Sequence, residues 1–467
     1  MTQSTPLAPG HRKPPPPRPP LVTSADVLGA LAILSAVAVI ALWVMNQGGP
    51  ASLTTLDRAM GSLGLLTGLL ASDLMILQVV LLARIPWLEN AWGHDLLTRR
   101  HRWIGFASFW LMIAHVILFA LERVSRQPQT ALDALTRVFI TDSWMVFATV
   151  GTLLLILVVV TSLRAARRKL RYESWHLLHL YSYAGIAATF PHTLGDGADF
   201  HQEWTRLYWW ALYGFAFAVT VLYRLAWPAW RSLYHRMRVE SAVAEAPGVV
   251  TVTVAGHRLD KMKTASGQFF IWRFLDGPGW SRGNPYTLSA APTSERLRVT
   301  IKAAGDGSER AARLTPGTRV LIEGPYGTFT ARQRTQPRML LIGAGIGITP
   351  LRALLEDSPY EPGEATLLYR YSHDQHAVLA NELRDLAARR GIELIFLPGP
   401  RRADNSWQSA DLNHPADDAQ ALTALVPDVA RCDIYACGPP HWLTAVRKAA
   451  RRAGAHRNHF YTEEFGW

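Results

Sequence analysis

Residues 101–115 read HRWIGFASFWLMIAH, an apolar segment with a histidine at each end. Residues 179–192 follow the same plan and read HLYSYAGIAATFPH. Each segment is long enough to form most of a membrane-crossing helix, and ionisable groups inside such helices are costly and indicate function by default. The first candidate functional residues are therefore His101, His115, His179 and His192.

Six apolar runs of roughly 20 residues predict helices that cross a membrane. They lie near residues 24–46, 61–83, 103–121, 144–163, 174–192 and 205–227. Arginine clusters follow the second, fourth and sixth runs, which predicts that these loops and both termini face the cytoplasm. We therefore expect a multi-pass protein of the cell inner (cytoplasmic) membrane, with the lipid bilayer as a partner.

Composition narrows the class of protein. The 467-residue chain has a formal net charge of +12, but its basic residues cluster at the ends of apolar runs. Membrane topology explains that placement, so nucleic acid is excluded as a partner. The only cysteines are Cys432 and Cys437, which excludes a disulfide framework. The proline-rich start is expected to be a disordered cytoplasmic tail, with a ligand for a proline-binding partner as the alternative.

The pattern of the second half is that of a soluble enzyme. From about residue 236, short β-rich runs alternate with turn residues, which predicts a small antiparallel β-barrel. After Arg338, strands alternate with helices, which predicts an α/β Rossmann-like domain. The predicted domains of this multi-domain membrane protein are a tail at 1–23, a six-helix transmembrane bundle at 24–230, a barrel at 236–332 and an α/β domain at 333–467.

The four histidines fit two stacked metal centres. The third and fifth runs cross in the same direction, so His101 can face His179 near the cytoplasmic surface and His115 can face His192 near the outer one. Spacings of 14 and 13 residues correspond to a rise of about 20 Å, which suits two haems in a hydrocarbon core of about 30 Å. Each pair would supply two axial nitrogens to a haem iron.

The angular fit differs between the two segments. In an ideal helix, 14 positions return to within about 40° of the same face, whereas 13 positions miss it by about 140°. A kink at Pro191 would bring His192 back towards its partner. His176, one turn before His179, is the rival for the inner ligand, and His94 lies just outside the third run. An interfacial or helix-pairing role is the alternative for any single histidine.

Three short motifs in the predicted barrel fit a flavin nucleotide. Residues 284–289, NPYTLS, offer an aromatic ring and hydroxyls to an isoalloxazine ring, and residues 302–308 offer a cation, amides and a hydroxyl to a pyrophosphate. A tight turn follows at residues 324–327, and each motif alone is also compatible with an ordinary turn. The candidate contacts are Asn284, Pro285, Tyr286, Thr287, Ser289, Lys302, Gly307, Ser308 and Gly327.

A glycine-rich turn in the predicted α/β domain fits a dinucleotide. Residues 340–350, LLIGAGIGITP, place the turn between a strand and a helix, where amides and the helix dipole bind phosphate. After the next strand, the segment at 370–372 has a cation and a hydroxyl in place of an acidic residue, which favours NADPH, with NADH as the alternative. The candidate contacts are Gly343, Gly345, Gly347, Thr349, Pro350, Arg370, Ser372, Gly438 and Pro439.

Three residues near the end of the chain are candidates for the chemical step. Cys437 ends a predicted strand, where its thiol could lie beside the nicotinamide carbon that gives up hydride; a buried small residue is the alternative. The aromatic end of the chain, with Phe465 and Trp467, either packs in the core or covers the flavin face and moves aside for nicotinamide.

Read in order, NPYTLS, IKAAGDGS, GPYG, GAGIGITP and YACGPP resemble the ferredoxin-reductase-type FAD and NAD(P) module. With paired histidines on the third and fifth of six spans, residues 24–467 resemble the ferric reductase and NADPH oxidase superfamily. The resemblance implies two b-type haems on the histidine pairs. It also implies flavin contacts at Tyr286 and Thr287, a phosphate contact at Ser308, nucleotide contacts at Gly345 and Pro350, and hydride transfer at Cys437. The family usually has arginine or histidine where this chain has Asn284, and Arg282 is the candidate replacement.

The resemblance implies an oxidoreductase that transfers electrons from NADPH through FAD and two haems to an acceptor outside the membrane. Reduction of a ferric chelate is the first expectation. Reduction of dioxygen to superoxide and donation to a periplasmic protein are the alternatives. A transporter without cofactors is a further class, and it predicts no Soret absorbance.

Overall fold

The chain divides into two compact units, which meet in the sequence between Trp227 and Pro228. We call the unit before this point the helical unit and the unit after it the sheet unit. The computed structural model describes residues 24–46, 53–126, 128–136, 139–140, 142–170, 172–196, 202–277, 282–303, 306–403, 405–411 and 417–464.

The helical unit is built from long apolar helices joined by short ones. The helices in chain order are α1 Ser24–Asn46, α2 Leu56–Leu81, α3 Pro86–Trp92, α4 His94–Arg126, α5 Ala131–Thr136, α6 Ser143–Ser162, α7 Arg164–Arg167, α8 Tyr172–Asp196 and α9 Glu203–Val221. A π-helical turn, Leu222–Ala226, leads from α9 into α10, Trp227–His235, which belongs to the sheet unit from Pro228 onward. Within the described residues, the stretches long and apolar enough to cross a membrane are Ala25–Met45, Leu56–Leu81, Leu96–Arg126, Ser143–Ser162 and Glu203–His235.

The predicted fifth span is helical but is not among those five stretches. It corresponds to α8, a helix of 25 residues that continues through Pro191. The hydropathy of α8 is lower than that of the other long helices because it contains histidines at 176, 179 and 192 and several tyrosine and tryptophan side chains. The same histidines that are candidate functional residues therefore lower the hydropathy by which α8 would be identified as a membrane span.

Helices α2 and α4 pack closely because glycines on α2 leave room for α4. Gly61, Gly64 and Gly68 share one face of α2. A Cβ at Gly64 would meet the ring of Phe119 at 3.0 Å, and a Cβ at Gly68 would overlap the ring of His115. Small residues let helix backbones approach each other in a membrane protein, and here they bring backbone carbonyls of α2 within reach of α4.

Helices α6 and α8 form a second close pair. A Cβ at Gly151 on α6 would meet the carbonyl oxygen of Gly185 on α8 at 2.7 Å. The start of α6 is fixed by Asp142, whose carboxylate accepts hydrogen bonds from the amides of Trp144 and Met145 at 2.9 and 3.3 Å. The bundle thus contains two tight helix pairs, α2 with α4 and α6 with α8.

The first part of the sheet unit, residues 238–326, is called the two-sheet domain. Its strands are β1 Arg238–Ala246, β2 Val249–Ala255, β3 Phe269–Phe274, β4 Asn284–Thr287, β5 Arg296–Lys302 and β6 Val320–Tyr326, with a short helix α11 Asp306–Glu309. They form two antiparallel sheets with the orders β1-β2-β5 and β4-β3-β6. Single bridges, Arg238 with Arg319 and Leu288 with Val299, join the sheets. Alternating side chains such as Val252, Phe270 and Trp272 are fully buried between them.

The second part, residues 338–464, is called the parallel-sheet domain. Its strands are β7 Arg338–Ala344, β8 Ala365–Arg370, β9 Glu393–Leu397, β10 Cys432–Gly438 and β11 Phe460–Glu464; its helices are α12 Ile348–Asp357, α13 Ala380–Arg390, α14 Asp418–Leu425 and α15 Pro440–Arg452. All pairs are parallel, and the order is β11-β10-β7-β8-β9. The chain leaves the central strand β7 in one direction and returns on the other side as β10. Such a switch point opens a crevice at the carboxyl ends of β7 and β10.

Candidate functional site

The two histidines predicted for the cytoplasmic end of the bundle lie opposite each other. The ring centroids of His101 on α4 and His179 on α8 are 6.1 Å apart, with the ring planes at 68°. The Nδ1 of His101 donates to the backbone carbonyl of Gln78 on α2 at 3.1 Å. The Nδ1 of His179 lies 3.4 Å from the hydroxyl oxygen of Ser162 on α6, and Trp175 stacks on the same ring. It is the His179 ring, one turn after the rival His176, that faces His101 at this distance.

The second pair repeats this geometry further along the same helices. The ring centroids of His115 and His192 are 6.2 Å apart, with the planes at 60°. His115 donates through Nδ1 to the carbonyl of Gly64 at 2.8 Å, and His192 donates through Nδ1 to the carbonyl of Thr189 at 2.8 Å. Spacings of 14 and 13 residues therefore end in nearly equal ring separations, although an ideal helix would favour only the first.

The donor set fits a six-coordinate metal between each pair. At a metal–nitrogen distance of about 2.0–2.1 Å, two imidazoles on opposite sides of one ion place their ring centroids about 6 Å apart. In His101, His115 and His192 a carbonyl holds the proton on Nδ1, so the lone pair of a neutral ring lies on Nε2. Metal-bound histidines use their second nitrogen in this way. Groups of three or more metal-ligating side chains are absent from the described residues.

A cavity of about 520 Å³ adjoins the second pair. His115 and His192 line it, its walls are mainly apolar, and its polar lining includes Arg123 together with the carboxylates of Glu122 and Asp142. The volume falls within the range of about 300–1,000 Å³ that is usual for cofactor pockets. The fit to a large flat apolar group with a few polar substituents is therefore good at this end of the bundle.

In the sheet unit, the glycine-rich turn lies at the switch point between β7 and β10. Gly345 has a φ of 55°, a left-handed conformation that favours glycine, and a Cβ there would meet no atom within 4 Å among the described residues. A Cβ at Gly347 would overlap the carbonyl of Cys437 on the neighbouring strand. The second glycine thus lets the turn close against β10, and it brings the two nucleotide motifs together.

Cys437 lies at the carboxyl end of β10, level with Gly343 on β7 and Glu463 on β11. Its side chain is fully buried. Burial, with a further contribution from Glu463, raises the pKa of the Cys437 thiol well above its usual value. The group is therefore a neutral thiol near neutral pH, suited to packing and not to nucleophilic attack.

A pair of arginines stands at the carboxyl ends of β8 and β9. Arg370 donates to the carbonyl of Gly399 at 3.2 Å, and its buried Nε has no hydrogen-bond partner in the described part of the chain. Burial, and then the charge of Arg401, lower the pKa of Arg370. Two neighbouring cations with a buried unpaired donor fit an anion such as a ribose 2′-phosphate. The hydroxyl of Ser372 lies 3.5 Å from Nδ1 of His376 in the same loop.

The predicted flavin segment forms β4 and the turn after it. Tyr286 is half-buried, and burial raises its pKa to about 12. Thr287 is buried, and the fully buried hydroxyl of Ser289 accepts a hydrogen bond from Thr300 at 2.9 Å. Asn284 and Pro285 pair with β3. The aromatic ring and amide of this strand fit a flavin ring, whereas the Ser289 side chain is already used inside the two-sheet domain.

The remaining predicted contacts differ in exposure. Lys302 is exposed at the end of β5, and Ser308 and the turn at Gly327 are half-buried. The hydroxyl of Thr349 is bonded to the carbonyl of Ile346 at 3.0 Å, and Pro350 is buried beside it, so both shape the turn from inside. Pro439 precedes α15, and Gly438 packs closely on Trp442. Gly307 lies in α11. Phe465 and Trp467 lie outside the described residues.

Four contributors were not identified from the sequence. The carbonyls of Gln78 and Gly64 and the hydroxyl of Ser162 support the histidines, and Arg401 accompanies Arg370. Of these four, only the carbonyls of α2 had a signal in the sequence, because the glycine spacing on α2 indicates that another helix packs closely against it. A backbone carbonyl has no residue type of its own and cannot be read from a sequence.

Two family models match separate parts of the chain. The model described as the ferric reductase like transmembrane component matches residues 67–190, which include His101, His115 and His179 and end just before His192. The model described as the oxidoreductase NAD-binding domain matches residues 341–448, from the middle of β7 into α15.

Curated relatives match less than half or about half of the chain. The ferredoxin reductase component of 3-ketosteroid-9-alpha-monooxygenase from Mycolicibacterium smegmatis is 30% identical over 211 residues, 44% of this chain and 57% of that protein. The flavohemoprotein of Bacillus subtilis is 26% identical over 184 residues, 39% of this chain and 46% of that protein. The chain thus spans about half the length of the curated relatives it matches. A solved flavohem-like FAD/NAD-binding domain of nitric oxide dioxygenase from Vibrio cholerae is 22% identical, and the match covers 50% of this chain and 99% of that one with a TM-score of 0.39.

The matches and the geometry agree on the two halves of the molecule. Long apolar helices coincide with the transmembrane model, and the switch point of the parallel sheet coincides with the NAD-binding model. The chain therefore contains long apolar helices within a segment that matches the ferric reductase like transmembrane component and, after it, a segment that matches the oxidoreductase NAD-binding domain.

Proposed function

We propose that this protein carries electrons from cytoplasmic NAD(P)H through FAD and two b-type haems to an acceptor outside the membrane. The observation that carries the proposal is the repeated histidine pair, with ring centroids 6.1 and 6.2 Å apart and Nδ1 of each ring beside an oxygen partner. The names of the relatives, a ferredoxin reductase component and a flavohemoprotein, support the use of FAD and a nicotinamide nucleotide.

In the helical unit the residues would hold and orient the haems. His101 and His179 would hold one haem, and His115 and His192 the other. The carbonyls of α2 keep the two α4 imidazoles in one tautomer and one orientation. When bound, FAD would supply the chemistry for two-electron hydride transfer and the haems the chemistry for one-electron transfer. If both histidines of each pair hold a haem, the outside acceptor would be reduced without binding to iron.

In the sheet unit the residues would bind and orient the nucleotides. Amides at the Gly345 turn and the start of α12 would hold a phosphate. Tyr286 would lie against the flavin ring, with Asn284 and Ser308 as further contacts. Cys437 keeps its proton and, as a neutral side chain in the core, would hold the carboxyl end of β10 in place beside the nicotinamide.

We propose a ferric chelate as the outside acceptor, because the helical unit matches the ferric reductase like component. Dioxygen, reduced to superoxide, is the alternative. Steady-state turnover of the purified protein with NADPH separates them: reduction of ferric citrate under nitrogen is expected, and superoxide release under air at a higher rate would favour the oxidase. Absence of both activities from protein that contains FAD and haem would contradict both.

A protein acceptor is the other alternative, and one observation favours it. Several relatives are named as reductase components or subunits, which are parts of larger systems. A periplasmic extract that restores NADPH oxidation by protein inactive with small acceptors would support this function. A cofactor-free transporter, in contrast, would show no Soret band in the purified protein.

We propose six crossings with both termini in the cytoplasm, and α8 is the crossing that needs a test. Its polar residues keep it out of the apolar stretches, yet it packs tightly on α6. Alkaline phosphatase fused after Leu170 is expected to be inactive, whereas a fusion after Asp196 is expected to be active. Equal activity of the two fusions would show that α8 does not cross.

We propose NADPH as the preferred nucleotide. Arg370 and Arg401 would hold the 2′-phosphate, and removal of one charged hydrogen bond costs about 1.5–3 kcal/mol, or roughly 10–100-fold. Arg370→Ala is therefore expected to lower the ratio of kcat/KM for NADPH to that for NADH by this factor. Arg451→Ala, at an exposed site on α15, serves as the control and should leave the ratio unchanged. An unchanged ratio in Arg370→Ala would contradict the assignment.

A further inference from the structure

Four charged side chains join the two-sheet domain to the parallel-sheet domain. Arg298 on β5 donates through both terminal nitrogens to the carboxylate of Glu382 on α13, at 2.9 and 2.8 Å. Arg352 on α12 places its Nε 3.1 Å from the same carboxylate and also pairs with Glu356. Arg352 is buried, and the two positive and two negative charges balance. This set of four residues is called the interdomain network.

The interdomain network also contacts the predicted flavin segment. The carbonyl of Ser289 accepts from Arg298 at 3.0 Å and from Arg352 at 3.4 Å. The amide of Ala291 donates to Glu356 at 2.6 Å. Ser289 ends the segment that begins at Asn284, and Arg352 lies on the helix that the glycine-rich turn opens. Hydrogen bonds therefore run without a break from the flavin segment to the nucleotide helix.

Apolar packing alone would leave the angle between the two domains loosely determined. Val249 on β2 shares a core with Leu351 and Leu354 of α12, but such contacts have no preferred direction. A guanidinium that binds a carboxylate through two parallel hydrogen bonds has a fixed geometry. Together with the hydrogen bond from the Ser266 hydroxyl to Asp357 at the end of α12, at 3.1 Å, the interdomain network sets how α12 is oriented over the two-sheet domain.

We propose that Arg298, Arg352 and Glu382 are positioning residues for hydride transfer, an inference that rests on the proposed function. In that step the C–H bond of the nicotinamide breaks, and the hydrogen with both bonding electrons passes to the flavin ring, which leaves the nicotinamide oxidised. The reacting atoms must approach to about 3–3.5 Å, and a displacement of about 1 Å costs roughly 100-fold in rate. The three residues act through the flavin segment and α12, not by touching the nucleotide.

Anaerobic stopped-flow reduction of the flavin by NADPH in the full-length protein tests this role. In Glu382→Gln the limiting rate at saturating NADPH is expected to fall by roughly 100-fold, while the dissociation constant of NADPH changes by less than about twofold. Arg298→Lys keeps the charge but loses the paired geometry, so an intermediate loss is expected. A purely structural contact would not lower the limiting rate at constant nucleotide affinity and FAD content.

The matched control lies two residues away on the same strand. Arg296 on β5 also binds a glutamate through two nitrogens, Glu240 at 2.7 and 2.7 Å, but this pair is exposed and stays within the two-sheet domain. Glu240→Gln should therefore reduce flavin at the wild-type rate.

Each outcome decides between the readings. A wild-type limiting rate in Glu382→Gln, or a loss of nucleotide affinity alone, would overturn the positioning role. If Glu382→Gln loses FAD or unfolds, the same two measurements on Arg298→Lys decide in its place. A wild-type protein whose flavin is reduced by neither NADPH nor NADH would overturn the proposed function itself, and that failure is seen before any variant is made.

Discussion

The helical unit and the sheet unit build their candidate sites from different parts of the chain. In the helical unit, four imidazoles on α4 and α8 would be the donor set of the proposed haem sites, and backbone carbonyls of α2 would orient two of them. In the sheet unit the backbone is the donor set, and glycines such as Gly345 and Gly347 shape it. In the helical unit, substitution of one histidine should therefore abolish binding of one cofactor. In the sheet unit, substitution of one side chain should slow the reaction while the nucleotides still bind.

Removal of one imidazole is expected to have the largest effect on the helical unit. His115→Ala and His192→Ala are each expected to lose the outer haem and keep the inner one, so the haem content falls from about two per chain to about one. A reduced-minus-oxidised spectrum with haem quantification measures this. His94→Ala and His176→Ala are the controls and should keep both haems. Two haems per chain in His115→Ala or His192→Ala would refute the assignment of ligands.

A glycine substitution in the helical unit tests whether orientation matters as much as the ligand. Gly68→Val adds a side chain where a Cβ alone would overlap the ring of His115, so the ring must move. We expect the outer haem to be bound at about half occupancy or less, with His115 still present. Gly214→Val on α9, where a Cβ meets no atom within 4 Å among the described residues, is the control. Full occupancy in Gly68→Val would show that α2 does not hold the ring.

Substitution of Cys437 tests whether the sheet unit can lose flavin-reduction rate without losing nucleotide affinity. Cys437→Ala should lower the limiting rate of flavin reduction by about tenfold at unchanged nucleotide affinity, because the carboxyl end of β10 loses core packing that holds it in place beside the nicotinamide. Cys432→Ala, at the other end of β10, should not. Since burial raises the pKa of the Cys437 thiol, no step in this rate between about pH 7 and 9 should depend on it. A pH step that Cys437→Ala removes would contradict the neutral thiol.

The smallest expected effect is the pH dependence of the interdomain network. Partial burial disfavours the carboxylate of Glu382, but the hydrogen bonds and charges of Arg298 and Arg352 outweigh burial and hold its pKa below the usual value. Its contribution to stability is therefore present above a pH of about 4.3 and is lost as the pH falls through the lower folded-state pKa. Glu382→Gln should lower Tm by about 2–4 °C at neutral pH, and the difference should vanish in acid. A difference that persists in acid would show that charge is not its cause.

The sequence predicted the parts of both sites that have a residue type of their own. The histidines could be paired because an ionisable group in an apolar helix is rare, and the motif at 343–350 could be placed because its glycines are required by backbone geometry. The strength and the length of the membrane spans were harder to predict. Polar side chains lower the hydropathy of α8, and α4 continues to Arg126, well beyond the predicted end at residue 121.

The supports of each site were harder to predict for a physical reason. Gln78 and Gly64 act through carbonyls, which every residue has, and their role depends on how closely α2 approaches α4. Arg401 reaches Arg370 only because the loop after β9 folds back, and loop paths follow no simple period. Thr349 shows the converse: its type fits a phosphate contact, but its hydroxyl is used by the turn itself.

The two tight helix pairs have a consequence for how the bundle is assembled. α2 with α4 and α6 with α8 are each held by glycine contacts, and every proposed haem would take one histidine from each pair. The two haems would then link the α2–α4 pair to the α6–α8 pair. By mass action the folded bundle becomes more stable as the haem supply rises, so the amount of intact protein in a cell would follow haem availability as well as expression.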